Sequence, residues 1–90
     1  MARYSVRILR SAAKEIEAIP TKKDRQAIVR RIGSLASEPR GKGCEKLAGR
    51  EDRYRVRQGR YRVIYSIEDD ILTVVVVKVG HRKDVYRDRA

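Results

Sequence analysis

The residues best suited to chemistry lie in three short clusters in the second half of the chain. Residues 54–57 read Tyr-Arg-Val-Arg, residues 60–65 read Arg-Tyr-Arg-Val-Ile-Tyr, and residues 80–86 read Gly-His-Arg-Lys-Asp-Val-Tyr. They supply arginines, tyrosines and one histidine, with no carboxylate pair, activated thiol or set of metal ligands nearby. Guanidinium groups bind phosphate through paired N–H donors, and histidine and tyrosine exchange protons. This combination suits metal-independent cleavage of an RNA phosphodiester by the ribose 2′-hydroxyl.

Alternation along two predicted strands separates these basic side chains from the apolar ones. Tyr54, Val56, Tyr61 and Tyr65 alternate with arginines over residues 53–65. Because successive side chains of a strand point to opposite faces, we predict that the tyrosines pack in the core and that the arginines form an open basic face. The open face is predicted to carry Arg55, Arg57 and Arg62, and Arg53 and Arg60 alternate with the apolar residues in the same way.

The first half of the chain predicts a strand and two helices. Residues 3–9 alternate as a half-buried strand, and Ser11 is predicted to cap a helix that ends at Pro20. Thr21 is predicted to cap a second helix that ends at Pro39. About two residues join the helices, which indicates an antiparallel hairpin.

The second half reads as a loop followed by three strands. Residues 39–50 contain Pro39 and three glycines and are predicted to be a loop. Turns at residues 58–59 and 68–70 separate the two arginine-rich strands and a β-branched strand over residues 71–79, and residues 82–90 are predicted to be a short helix or tail. The order β-α-α-β-β-β predicts an α+β fold in which a small, mostly antiparallel four-stranded sheet carries the N-terminal helical hairpin on one face. Ninety residues suggest a single domain spanning 1–90.

Composition narrows the class of partner. A net charge of +11 indicates a polyanionic partner, which means nucleic acid, an acidic protein or an anionic membrane surface. The longest apolar run, residues 71–77, is too short to span a membrane, and residues 1–10 lack the apolar centre of a signal peptide. Cys44 is the only cysteine, which fits a reducing cytoplasm, and it has no nearby base that would make it a nucleophile.

The three clusters, the Leu-Ala-Gly at residues 47–49 and the order of the elements together resemble the RelE/ParE superfamily of bacterial toxin–antitoxin toxins. The resemblance covers nearly the whole chain. The arginine and tyrosine near the C-terminus resemble the RelE branch, whose members cut messenger RNA in the ribosomal A site. The resemblance therefore implies a RelE-like toxin domain that acts as a ribosome-dependent endoribonuclease (an mRNA interferase), inhibits translation and arrests growth.

The resemblance also implies roles for individual residues. Arg62 and Arg82 match arginines that stabilise the phosphate, and Tyr86 matches the catalytic tyrosine. An unperturbed tyrosine has a pKa of about 10, which surrounding arginines lower by favouring phenolate. Arg55 and Arg57 match basic residues of the second strand that bind RNA.

One position departs from the family pattern. The best-known member has lysines where this chain has Arg55 and Arg57, and arginine stays protonated at any working pH. His81 therefore becomes the candidate that protonates the leaving oxygen, because histidine changes charge near neutral pH. Arg53 and Arg60 are expected to steer phosphate at most, and no metal or other cofactor is expected.

Partners follow from the same resemblance. A toxin of this family implies a RelB-like antitoxin with an acidic binding segment that folds on the toxin in a hetero-oligomer. The ribosome and mRNA are the other expected partners, and no membrane partner is expected. Two alternatives stay open at this point: a ParE-like toxin that inhibits DNA gyrase by binding, without nuclease activity, and a small basic nucleic-acid binder without toxicity, whose binding would weaken steeply with salt.

Overall fold

The fold was analysed in a computed structural model that describes residues 3–49 and 52–81. Strand β1 (Ser5–Ile8) is followed by helices α1 (Arg10–Glu17) and α2 (Lys22–Ser34), and then by strands β2 (Cys44–Lys46), β3 (Arg53–Gln58), β4 (Tyr61–Glu68) and β5 (Thr73–His81). The strands form one five-stranded sheet in the order β1-β5-β4-β3-β2. β1 pairs with β5 in parallel, and the other three pairs are antiparallel. The predicted α+β class with a mostly antiparallel sheet is confirmed.

The sheet has one strand more than predicted. β2 lies inside residues 39–50, which the sequence indicated as a loop, and it pairs with residues 54–56 in the middle of β3. Three residues are too few for an alternating pattern to show, so this strand is defined by its partner rather than by its own sequence. Gly43 precedes it with a φ of 88°, a backbone conformation that glycine adopts without strain.

The start of α1 also differs from the prediction. Leu9, not Ser11, is the N-cap, and Ser11 lies inside the helix. The Leu9 N–H still donates to the Val76 carbonyl at 3.0 Å while the Leu9 carbonyl accepts from Ala13 at 2.9 Å, so the strand passes into the helix with no intervening loop. Thr21 is the N-cap of α2 as predicted, although its side chain makes no capping hydrogen bond.

Both helices pack on one face of the sheet. The helices contribute Ala12, Ile16, Ile28 and Ile32 to the core, and the strands contribute Val56, Val63, Tyr65, Ile67, Val74, Val76 and Val79. Burial of each large aliphatic side chain contributes about 1.5–3 kcal/mol. Tyr54 and Tyr61 pack against this core, which confirms that the three tyrosines of β3 and β4 are structural.

Tyr65 anchors the core to the loop after α2. Its side chain is fully buried, its ring stacks on Tyr54 with centroids 5.9 Å apart, and its hydroxyl donates to the Pro39 carbonyl at 2.6 Å. Burial, followed by the contact with the Cys44 thiol, raises the pKa of Tyr65 far above the usual value for tyrosine. The hydroxyl therefore stays protonated and cannot serve as a base.

The connection from β4 to β5 spans residues 69–72 and is one residue longer than the predicted turn at residues 68–70. Residues 69–71 form a single 3-10 turn (Asp69–Ile71), Leu72 has a φ of 48°, and β5 begins at Thr73 rather than Ile71. Asp69 accepts a hydrogen bond from the Tyr4 hydroxyl at 2.5 Å and two from the Arg40 guanidinium at 3.2 and 2.7 Å. The same guanidinium lies 5.4 Å above the Tyr54 ring. We call these four residues the Asp69 cluster: Tyr4, Arg40, Tyr54 and Asp69.

β5 contains a bulge. Tyr65 pairs with Val76 and Ile64 pairs with Lys78, so Val77 has no partner on β4. An inserted residue shifts the alternation of the strand, and the core-facing positions accordingly change from Val74 and Val76 to Val79. None of the described helices is long and apolar enough to cross a membrane.

Candidate nucleic-acid interface

The face of the sheet opposite the helices carries four arginines. They project from β3 and β4 at the positions that alternate with the core residues, and no described helix contributes side chains to this side of the sheet. We call this surface the arginine face, which consists of Arg53, Arg55, Arg57 and Arg62. The sequence predicted this surface, and the structure brings its four members together on two adjacent strands.

Arg57 and Arg62 lie directly opposite each other in the β3–β4 ladder. Side chains in such a pair have Cβ atoms about 5 Å apart, and two like charges there are destabilising. Arg57 is exposed, whereas Arg62 keeps only 8% of its surface exposed. On its other side Arg62 is opposite Gly80 of β5, which contributes no side chain.

Arg55 is held in place by the short strand β2. Glu45 is opposite Arg55 in the β2–β3 ladder, and the two side chains form an ion pair. The Arg55 side chain is 16% exposed and the Glu45 side chain 62%, so solvent reaches the pair from the Glu45 side. A cavity of about 430 Å³ lies next to this pair and is lined by Gly43, Cys44, Glu45 and Arg57.

Arg53 and Arg60 occupy different surroundings. Arg53 is half-buried opposite Ser66, and its Nε is buried without a hydrogen-bond partner. Arg60 is exposed in the tight turn between β3 and β4, next to Gly59, whose φ is 60°. Arg60 lies outside the strand ladder, so we do not include it in the arginine face.

Among the described residues, His81 lies with Tyr61 and not with the arginine face. His81 pairs with Tyr61 at the end of β5, and the two rings meet edge to face with centroids 5.8 Å apart. Paired residues share a face of the sheet, and Arg62, as the next residue after Tyr61, points to the opposite face. The predicted convergence of His81 with the arginines is therefore not observed. Arg82 and Tyr86 lie outside the described residues.

Sequence reasoning missed two acidic residues that contact this region. Glu45 orients Arg55, and Glu15 of α1 contacts Lys78 and Val79 near the end of β5. Neither is part of a motif, and each is recognised only once the pairing partner is known. Over residues 3–49 and 52–81, no group of three histidine, cysteine or acidic side chains could hold a metal ion.

Comparison with known proteins places the chain among bacterial and archaeal toxins. Residues 6–86 match the family described as the ParE toxin of type II toxin-antitoxin system, parDE. Toxin RelG of Mycobacterium tuberculosis is 33% identical over 87 residues, which cover 93% of this chain and 97% of the relative.

Two solved complexes have a similar fold. The toxin–antitoxin complex RelBE2 of Mycobacterium tuberculosis contains a chain that is 32% identical with a TM-score of 0.77, covering 89% of this chain and 99% of that one. The archaeal RelE–RelB complex of Pyrococcus horikoshii gives 32% identity and a TM-score of 0.75, with both chains covered completely. The second similarity, which covers the whole chain, includes both helices and the sheet that carries the arginine face.

Proposed function

Because the chain belongs to the RelE/ParE family of toxins from type II toxin–antitoxin systems, we propose that it is a metal-independent endoribonuclease that cleaves mRNA in the ribosomal A site and so inhibits translation. The observation that carries this proposal is the pair Arg57 and Arg62 on the sheet face that no described helix covers. Two guanidinium groups opposite each other repel, and clustering of like charges is a departure from the usual rules that is expected at functional sites.

An RNA phosphate is the ligand that this pair suits. A phosphate between two guanidinium groups replaces their repulsion with charge-assisted hydrogen bonds. Arg55, oriented by Glu45, adds a third cation on the same face, two residues along β3. The spacing of alternate residues in a strand is about 6.6 Å, which is close to the distance between successive phosphates of an extended RNA strand. The face therefore suits a single RNA strand that runs along β3, with Arg62 of β4 beside it.

The proposed reaction needs no metal. The ribose 2′-oxygen bonds to the adjacent phosphorus, and the bond from phosphorus to the 5′-oxygen breaks, which leaves a 2′,3′-cyclic phosphate and a 5′-hydroxyl. Tyr86, in the role that the family resemblance gives it, removes the 2′-hydroxyl proton. Arg62, with Arg82, stabilises the extra negative charge on the phosphate as the transition state forms. The leaving 5′-oxygen takes up a proton from water, and the His81 variant described below tests whether that histidine donates the proton instead.

We also propose the setting in which this activity is controlled. Residues 1–90 would act as one toxin domain in the cytoplasm, bound by a RelB-like antitoxin. Two supports for this partner are the net charge of +11, which favours an acidic segment, and the two similar structures, which are toxin–antitoxin complexes. The ribosome would position the mRNA, because the arginine face is a surface rather than a deep pocket.

The test is a cell-free translation reaction to which the protein is added, with mRNA 5′ ends mapped by primer extension. We expect cuts within the A-site codon that require active translation and disappear with Arg82→Ala or Tyr86→Phe, while both variants stay folded by circular dichroism. Intact mRNA in the presence of folded wild-type protein would contradict the proposal, as would full cleavage by both variants.

A further inference from the structure

Glu15 on α1 makes two contacts with β5. Its Oε1 accepts a hydrogen bond from the Val79 backbone N–H at 2.8 Å, and its Oε2 lies 3.0 Å from the Lys78 Nζ. The side chains of Glu15 and Lys78 are 32% and 24% exposed, so the ion pair is shielded from much of the solvent. One carboxylate therefore binds both the backbone and a side chain of the strand.

The position of these contacts follows from where β1 ends. β1 pairs with β5 only as far as Val76, and the chain then turns into α1. The bulge at Val77 aims the Val79 amide at the edge that β1 has left. Val79 is 1% exposed, and a buried amide without a partner costs about 1–3 kcal/mol. Glu15 supplies the acceptor that a longer β1 would have supplied.

The part of β5 that Glu15 holds is the part nearest the proposed active site. Gly80 follows Val79 and pairs with Arg62, and the chain continues through His81 directly to Arg82. A shift of this strand end would move the backbone beside the Arg62 guanidinium and the point from which Arg82 follows. Misplacement by about 1 Å can lower an enzymatic rate by about 100-fold.

We infer that Glu15 is a positioning residue for the cleavage reaction, acting through the Val79 amide to hold the end of β5 against Arg62. This inference rests on the proposed nuclease function. Glu15 itself is on the helix side of the molecule and does not contact RNA in this arrangement. Its effect should therefore appear in the rate at saturating ribosome concentration rather than in the ribosome concentration that gives half the maximal rate.

The test compares Glu15→Ala, Glu15→Gln and the matched control Glu17→Ala, which removes an exposed carboxylate from the same helix. Glutamine keeps an oxygen that accepts from the Val79 amide but loses the charge that attracts Lys78. We expect Glu15→Ala to lower the maximal A-site cleavage rate at least about tenfold. Glu15→Gln should stay within about threefold of wild type, since it keeps the hydrogen bond from the Val79 amide. Glu17→Ala should match wild type. Amide hydrogen exchange at Val79 should accelerate in Glu15→Ala alone.

The outcomes separate this inference from the function on which it rests. Folded wild-type protein that does not cleave mRNA would overturn both. If the wild type cleaves mRNA and Glu15→Ala is equally active, only the role of Glu15 is overturned. The same holds if Glu15→Gln cleaves as slowly as Glu15→Ala although amide exchange at Val79 in Glu15→Gln is unchanged from wild type. If Glu15→Ala does not fold by circular dichroism, Glu15→Asp takes its place with the same expectation, because its shorter side chain does not reach Val79 from the same backbone position.

Discussion

Two regions of this small protein use arginine in opposite ways. In the Asp69 cluster, Arg40 donates two hydrogen bonds to Asp69, a third to the Tyr54 hydroxyl at 3.2 Å, and covers the Tyr54 ring. On the arginine face, Arg57 is exposed and makes no ion pair within residues 3–49 and 52–81, and its neighbour across the ladder is another arginine.

The difference separates arginines that bind acceptors within the protein from arginines that are exposed to solvent. Arg40 connects the loop after α2 to β3 and to the turn before β5, so its donors are directed to protein acceptors. Arg57 makes no side-chain hydrogen bond or ion pair among the described residues, and it faces another positive charge at Arg62. A residue with a structural cost and an exposed guanidinium is best explained by an external anion, and each experiment below tests whether the two regions really differ in this way.

Removing Arg62 should have the largest effect. Arg62→Ala is expected to lower A-site cleavage by about 100-fold or more, in line with the loss of a group that stabilises transition-state charge. Translation-coupled primer extension measures the rate, and urea unfolding confirms that the variant is folded at the assay temperature. The matched control is Arg30→Ala, which removes one exposed positive charge from α2 on the other side of the sheet and should cleave like wild type. If both variants lose the same fraction of the cleavage rate, the rate depends on the total positive charge of the protein and not on the arginine face.

Arg57→Ala should separate function from stability. Cleavage is expected to fall by about tenfold, the effect of losing one charge-assisted contact of about 1.5 kcal/mol. The free energy of unfolding should stay constant or rise by about 0.2–1 kcal/mol, because a like-charge cross-strand pair is removed. Urea unfolding and the cleavage assay on the same preparation provide both values.

Arg40→Ala is the matched control for Arg57→Ala, since it removes one arginine from the Asp69 cluster. Its pair with Asp69 is 46% and 53% exposed, so we expect a loss of about 1 kcal/mol or less, with cleavage per folded molecule unchanged. If Arg57→Ala destabilises the protein more than Arg40→Ala does, the distinction between the two regions is wrong.

The sequence predicts the arginine face better than it predicts the surroundings of that face. Alternation alone places Arg55, Arg57 and Arg62 opposite the core tyrosines, because a period of two is enough to assign faces. The same pattern does not predict which residues of neighbouring strands pair. That register places Arg57 opposite Arg62 and Glu45 opposite Arg55.

The remaining errors have local physical causes. β2 has too few residues to show a period. The N-cap of α1 is Leu9 and not the predicted Ser11, because backbone hydrogen bonds continue from strand to helix. The face on which His81 lies also depends on the β5 bulge, which places its ring against Tyr61, while its role in the reaction stays a prediction. Contacts between distant segments, such as Glu15 with Val79, have no signature in a single sequence.

His81 tests how sharply the sheet divides the two faces. A general acid contributes about 10²–10⁴-fold to a rate. Because the ring contacts Tyr61 on the helix side, we expect His81→Asn to lower cleavage by less than about tenfold, with the shape of its rate–pH profile unchanged between about pH 5.5 and 8. A loss of about 100-fold together with the disappearance of one limb of that profile would assign His81 the proton donor's role and show that its ring reaches the arginine face during the reaction.

The smallest expected effect concerns the pH dependence of stability in the Asp69 cluster. Hydrogen bonds from Arg40 and then from Tyr4 lower the pKa of Asp69 below its usual value. A carboxylate with a lowered folded-state pKa contributes stability above its unfolded pKa of about 3.9 and loses that contribution as the pH falls through the folded value. The urea midpoint of the wild type should therefore exceed that of Asp69→Asn by a constant amount between about pH 5 and 7, and this difference should shrink below about pH 4.

The control variant is Asp70→Asn, which removes the neighbouring exposed carboxylate. Asp70 makes no hydrogen bond or ion pair among the described residues, so the difference in urea midpoint between Asp70→Asn and wild type should not shrink at low pH. If the difference in urea midpoint from wild type shrinks equally for both variants, acid acts through the net charge of the chain and not through the hydrogen bonds of Asp69. Arg40 would then contribute no more to the stability of the fold than Arg57 does.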